Sequence, residues 1–146
     1  ARDLNADIDF LKRKQDAGAD YLVTQLFFDN EIFYEFYDKT QKKGISLPIS
    51  AGIMPILNKR QINTIVRLTG NSIPKRFMRL LEKYENNPEA LNEAGMSYAI
   101  SQIIDLLSWG VAGIHVYTMN KSSTAGKILE SISAIRGVLT NERKIS

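Results

Sequence analysis

Three short runs of β-branched and aromatic residues restrict the fold of this chain more than any other feature. They are Tyr21-Leu22-Val23-Thr24-Gln25-Leu26-Phe27-Phe28, Ile49-Ser50-Ala51-Gly52-Ile53-Met54 and Gly113-Ile114-His115-Val116-Tyr117, each of strand length and strand composition. The stretches between them carry apolar residues at helical spacing. Strands that alternate with helices imply right-handed crossovers and a parallel sheet. The near-continuous apolar character of the strands fits a sheet covered on both faces.

The punctuation supports this reading. A helix over about residues 6–17 shows Ile8, Leu11 and Gln15 on one face, Asp7 in its first turn and Gly18 as C-cap. Asp29 or Asn30 caps a helix over about 31–43, with Ile32, Phe33, Phe36 and Tyr37 on one side and Gly44 ending it. Pro48 opens the second strand and Pro55 closes it. Asn58 caps a helix through about Leu68, stopped by Gly70. Pro74 suits the first turn of another helix, and Asn87-Pro88 begins a long one that reaches Trp109 and its cap, Gly110. A last helix is expected over about 123–136, with a polar tail over 138–146 that frays from Thr140.

Taken coarsely, the order is α-β-α-β-α-α-β-α with three parallel strands. The chain opens with a helix that follows no strand, and three strands make a poor free-standing parallel sheet. Residues 1–146 are therefore expected to form a single partial domain of a larger α/β protein.

Composition excludes several classes. With 44% hydrophobic and 24% charged residues the chain is neither disordered nor a coiled coil. Zero Cys removes disulfides, thiol nucleophiles and Cys-based metal sites, and a lone His115 removes a His-rich one. The net charge of +3 is mild and reads as a solvated surface. Lys75, Arg76 and Arg79 lack interleaved stacking aromatics, so no nucleic-acid partner is expected. No apolar run approaches a membrane span and the N-terminus has no signal-peptide core. No membrane partner is expected, and a cytoplasmic location is the default. Dinucleotide-type Gly-x-Gly-x-x-Gly, P-loop and Gly-x-Ser-x-Gly motifs do not occur.

Ligands of parallel α/β sheets bind at the carboxyl ends of the strands, and three polar clusters fall there. In the first, Gln25 is a large amide within an apolar strand. It either pairs with a neighbouring strand or reads the donor and acceptor edges of a heterocycle. In the second, Gly52 marks a strand bend or the close approach of a backbone or ligand. Asn58 there looks like a plain N-cap, while Gln61 is either surface or site. In the third, alternation puts His115 and Tyr117 on one face, and Lys121 is either solvated or a charge for a substrate carboxylate. On the first helix, Lys12-Arg13-Lys14 cannot share one face, so at most two of them could reach a phosphate or diphosphate.

Taken together, Leu11–Asp20, Thr24–Asp29, Gly52-Ile53-Met54-Pro55 and His115–Asn120 resemble the flavin-dependent methylenetetrahydrofolate reductases, in order and in spacing. The segments from Ile73-Pro74 and around Gly95 are similar too, and the resemblance runs from about Asp7 to Ile135. It implies the C-terminal half of a (β/α)8 TIM barrel. It further implies FAD as cofactor, NADH or NADPH as hydride donor, and reduction of 5,10-methylenetetrahydrofolate to 5-methyltetrahydrofolate. By the same resemblance, Gln25 would contact the folate pterin and, in turn, the nicotinamide. Gln61 and Lys121 would contact folate further out, and Asp7, Arg13 and Lys14 would hold FAD. Three positions depart from the family pattern. Lys121 stands in place of Arg and loses a bidentate fork. Phe10 replaces a polar flavin contact, and Ile65 replaces an aromatic that closes over folate in some relatives.

The family's general acid, a Glu near the start of the barrel, has no counterpart in these 146 residues. The expectation is that this chain alone does not turn over and that the N-terminal half of the barrel is its partner. Two alternatives stay open: a non-catalytic folate- or anion-binding half-barrel, and a homo-oligomer formed by pairing exposed sheet edges.

Overall fold

Each of the three runs forms a strand, and the strands pair in the sense expected. The computed structural model describes residues 4–69, 73–118 and 122–145. In chain order the elements are α1 (Leu4–Asp16), β1 (Leu22–Leu26), α2 (Asn30–Lys42), β2 (Ile49–Ile53), α3 (Lys59–Thr69) and α4 (Lys75–Tyr84). They continue with α5 (Pro88–Trp109), β3 (Gly113–Val116), α6 (Ser122–Ser131) and α7 (Ser133–Ile145). The strands form one sheet in the order β1-β2-β3, parallel throughout.

Two details correct the coarse order. Three helices separate β2 from β3, as the helix starts at Asn58, Pro74 and Asn87-Pro88 indicate, where the coarse order counts two. The stretch from Lys75 to Trp109 divides at Asn87-Pro88, where the ring takes the first helical position and the Asn87 Oδ1 accepts from the Ala90 N–H at 3.1 Å. The last helix is also divided, and α7 runs to Ile145 through the segment expected to fray. Neither Gly nor Pro interrupts the sequence from Val138 onward. The two helices are linked across their junction by the Arg136 N–H, which donates to the Ile132 carbonyl at 3.0 Å.

Asp29 rather than Asn30 caps α2, its Oδ1 accepting from the Glu31 N–H at 3.0 Å. Gly110 ends α5 in the left-handed region at φ +104°, where a side chain would be strained. The predicted stop at Gly70 lies outside the described residues.

Packing falls into two clusters. In the first, Leu22 of β1 and Ile49, Ala51 and Ile53 of β2 meet Ile8 of α1, Phe33 of α2, Ala99, Ile103 and Leu106 of α5, and Ile128 of α6. The second lies beyond the carboxyl ends of the strands. There Phe28, Met54 and Ile56 meet Ile62 and Ile65 of α3, Phe77 and Leu81 of α4, and Leu91 of α5. At Gly95 of α5 a Cβ would overlap the Ile56 carbonyl, so α5 rests directly on the backbone after β2.

At the opposite end of the sheet, Gln15 fastens α1. Its Oε1 accepts from the backbone N–H of Ser46 at 2.7 Å and of Leu47 at 3.1 Å, and its Nε2 donates to the Gly44 carbonyl at 3.1 Å. The sequence pattern places Gln15 on a packing face; it is instead a polar staple to the segment that leads into β2. This staple fixes the direction of α1. Asp7 stands eight residues away, about 12 Å along the helix, and therefore next to the carboxyl end of β1.

Candidate functional site

The register of β1 against β2 is broken where Gln25 sits. Val23 pairs with Ser50 and Leu26 with Gly52, three residues of β1 against two of β2. One extra residue in one strand is a β-bulge, a device that re-aims a side chain. The Thr24 side chain replaces the lost ladder contact, its Oγ1 accepting from the Gly52 N–H at 2.9 Å. The Thr24 carbonyl accepts from the Tyr117 hydroxyl at 3.3 Å. A Cβ on Gly52 would lie 2.7 Å from that carbonyl and 2.9 Å from Tyr117 Cε2. Of the two readings of Gly52, close approach holds, and what approaches is a backbone and a ring.

Gln25 is exposed and lines a cavity of about 440 Å³ along the outer edge of β1, together with Asp7, Phe10 and Lys14. The structure thus brings three predicted site residues, Asp7, Lys14 and Gln25, to one cleft between α1, β1 and α2. Arg13 stands beside it, with its guanidinium carbon 5.9 Å from the centre of the Phe10 ring; Lys14 Nζ is 4.8 Å from the same ring. Lys12 turns away to Asp16, at 3.4 Å. The basic triplet is therefore divided as helical geometry requires, with two cations grouped around one aromatic.

Gln61 lies elsewhere, in the first turn of α3. Its Oε1 accepts from the Leu57 N–H at 2.7 Å, while its own N–H donates to Asn58 Oδ1 at 2.9 Å. The pair Asn58 and Gln61 is a near relative of the capping box, with the Gln reaching one residue further back. The oxygen of the amide is thus used by the loop, and its NH2 is the face left to serve a ligand. Lys121 lies outside the described residues. His115 and Tyr117 do share a face, with ring centroids 4.4 Å apart in an edge-on arrangement. Ile65 is 1% exposed within the second cluster, so here it packs inward and does not form a lid.

Sequence reading missed a polar network behind the β1–α2 turn. Asn30 Nδ2 donates to Asp105 Oδ2 at 2.9 Å and to the Gln102 carbonyl at 3.1 Å, and the Tyr34 hydroxyl donates to the same carboxylate oxygen at 2.6 Å. Gln102 Nε2 returns to Asn30 Oδ1 at 3.1 Å and to the Phe27 carbonyl at 3.2 Å. The Tyr98 hydroxyl donates to the Phe28 carbonyl at 2.5 Å. The Tyr34 hydroxyl lies well above its ordinary pKa, through burial first and the Asp105 carboxylate second. The Asp105 carboxyl lies below its own, held down by the Tyr34 hydrogen bond and then by that of Asn30. Burial raises Tyr98. The available signal was a polar Gln102 at a position of α5 that faces the core.

A parallel α/β sheet with polar side chains gathered near its carboxyl ends belongs to the class of α/β proteins that bind ligands at that rim. Comparison with known proteins narrows the class. The family model described as Methylenetetrahydrofolate reductase matches residues 1–133, and the chain belongs to that family. It is 36% identical over 141 residues to Methylenetetrahydrofolate reductase (NADH) 1 of Arabidopsis thaliana, covering 97% of this chain and 23% of the relative. It is 38% identical over 128 residues to "Probable methylenetetrahydrofolate reductase (NADPH)" of Caenorhabditis elegans, covering 87% and 19%. Against 5,10-methylenetetrahydrofolate reductase of Salmonella typhimurium it is 32% identical over 138 residues, covering 94% and 47%. The chain thus spans less than half the length of each of these relatives.

Proposed function

We propose that this chain is part of the catalytic unit of a flavin-dependent methylenetetrahydrofolate reductase in the cytoplasm, and that its sheet is the C-terminal portion of a β/α barrel. The whole reaction reduces 5,10-methylenetetrahydrofolate to 5-methyltetrahydrofolate. The relatives' names divide between NADH and NADPH, and either serves as donor in this reading. The observation that carries the proposal is the convergence of Asp7, Lys14 and Gln25 on one cleft beside β1. The outer edge of the sheet supports the barrel reading, since Val23 of the edge strand β1 is exposed, as is Tyr21 just before it. Exposed apolar residues on an edge strand suit pairing with a further strand.

The residues present fit FAD. Arg13 and Lys14, grouped around Phe10, offer two cations to a diphosphate, and Asp7 can accept hydrogen bonds from hydroxyl groups. When bound, FAD carries the hydride equivalent between the nicotinamide and the folate. The chain's own contribution is orientation. Gln25 presents an amide that can both donate to and accept from the pterin edge or the nicotinamide carboxamide. Gln61 offers its NH2 and Lys121 a positive charge to the outer part of the folate.

Purification of the full polypeptide that carries this sequence tests the reading. A bound flavin spectrum and NAD(P)H consumption that depends on methylenetetrahydrofolate are expected, and residues 1–146 alone should give no turnover. A flavin-free polypeptide without that activity would contradict the proposal.

A further inference from the structure

The Tyr117 side chain spans the sheet. Its backbone N–H donates to the Ile53 carbonyl at 2.8 Å, which extends the β2–β3 ladder by one residue. From there the ring crosses β2 at Gly52, where no side chain stands in its way, and its hydroxyl reaches the Thr24 carbonyl in β1. An edge-on contact with His115 also holds the ring. The carbonyl it reaches belongs to the peptide that joins Thr24 to Gln25. A peptide unit is planar, so holding its oxygen also fixes the orientation of the Gln25 N–H and Cα. The same residue is held a second time where Thr24 Oγ1 accepts from Gly52.

We infer that Tyr117 is a positioning residue: its hydroxyl, passing over Gly52, locks the β1 bulge and so sets the direction in which Gln25 meets its ligand. This inference rests on the proposed contact between Gln25 and folate. It also gives a reason for Gly at position 52, because any side chain there would displace the ring or the bulge carbonyl.

A double-mutant cycle in the full polypeptide carrying this sequence tests it. Tyr117→Phe keeps the ring and removes only the hydroxyl, and Gln25→Ala removes the group it positions. Tyr117→Phe is expected to raise the KM for methylenetetrahydrofolate by about three- to tenfold, the size of one lost hydrogen bond. In the Gln25→Ala background the same change should move KM by less than about 1.5-fold, because a residue acting through Gln25 has nothing left to position. Equal fold-changes in both backgrounds, or none in either, overturn the inference. If Gln25→Ala itself leaves KM unchanged, the proposed folate contact has failed, and amide hydrogen exchange then decides on the clasp alone. Faster exchange of the Gly52 N–H in Tyr117→Phe supports the clasp, and unchanged exchange overturns it.

Discussion

On one face of the sheet Leu22, Ile49, Ala51 and Ile53 are buried among α1, α2, α5 and α6. On the other, the register aligns Val23 with Ser50 and Gly113, and Gly52 with His115. Val23 is 41% exposed there, His115 is exposed, and the remaining positions carry a small hydroxyl or no side chain. The first face is shaped by what it excludes, which is water. The second leaves room for the Tyr117 ring, which crosses it at Gly52 to reach the β1 bulge. Parallel sheets are normally covered on both sides; here the first face carries the core and the second carries little apolar surface.

The largest effect should come from breaking the packed side. Gly95→Ala sets a methyl group against the Ile56 carbonyl, a backbone atom that cannot swing aside. A loss of about 3 kcal/mol in denaturant unfolding is expected, at the upper end of overpacking effects. Ile53→Ala should cost about 2–4 kcal/mol, while Val23→Ala on the sparse face should stay within about 0.5 kcal/mol. Equal losses at Ile53 and Val23 would erase the contrast between the faces. Gln15→Ala should cost about 1–2 kcal/mol through its hydrogen bonds to the Gly44–Leu47 segment. Its signature is faster amide exchange at Ser46 and Leu47.

The smallest expected effect is electrostatic. The Asp105 carboxyl is held below its usual 3.8 by Tyr34 and then Asn30. Below about pH 3.8 the unfolded chain takes up a proton that folded Asp105 still refuses, so this contribution is present above that pH. It is lost as the pH falls through the lowered value. Thermal melts should therefore show the wild type losing stability more steeply than Asp105→Asn as the pH drops below 3.8. Parallel curves would show that the network contributes no acid-dependent stability.

Much of the fold was legible because punctuation and periodicity act locally. Asn58 and Asn87-Pro88 each begin a helix and Gly110 ends one by local side-chain or backbone chemistry, without help from distant residues. The bulge at Thr24–Gln25 was not legible, because it depends on register with β2 and on a ring arriving from Tyr117, more than ninety residues away. Gln15 misled for a related reason: an amide at a helical packing position has the spacing of a core residue but the valence of a staple. Gln25 was legible as an amide in an apolar strand and the basic triplet as a candidate phosphate contact, while Asp7 came only through family resemblance; the grouping of Asp7, Lys14 and Gln25 around one cleft came only with the placement of α1. Asn30 was legible as a capping candidate, but its bond to Asp105 joins residues 75 positions apart, beyond any local signal.

The contrast between residues that stabilise the sheet and a residue that serves a ligand is tested most directly by Gln25→Ala in the full polypeptide, with unfolding and steady-state kinetics measured on the same preparation. A melting temperature within about 1 °C of wild type is expected, as for an exposed substitution. A fall of about tenfold or more in kcat/KM for methylenetetrahydrofolate is expected with it, as when a directed hydrogen-bonding pair is removed. Unchanged kcat/KM, or a loss of activity that merely follows a loss of folding, would contradict that contrast.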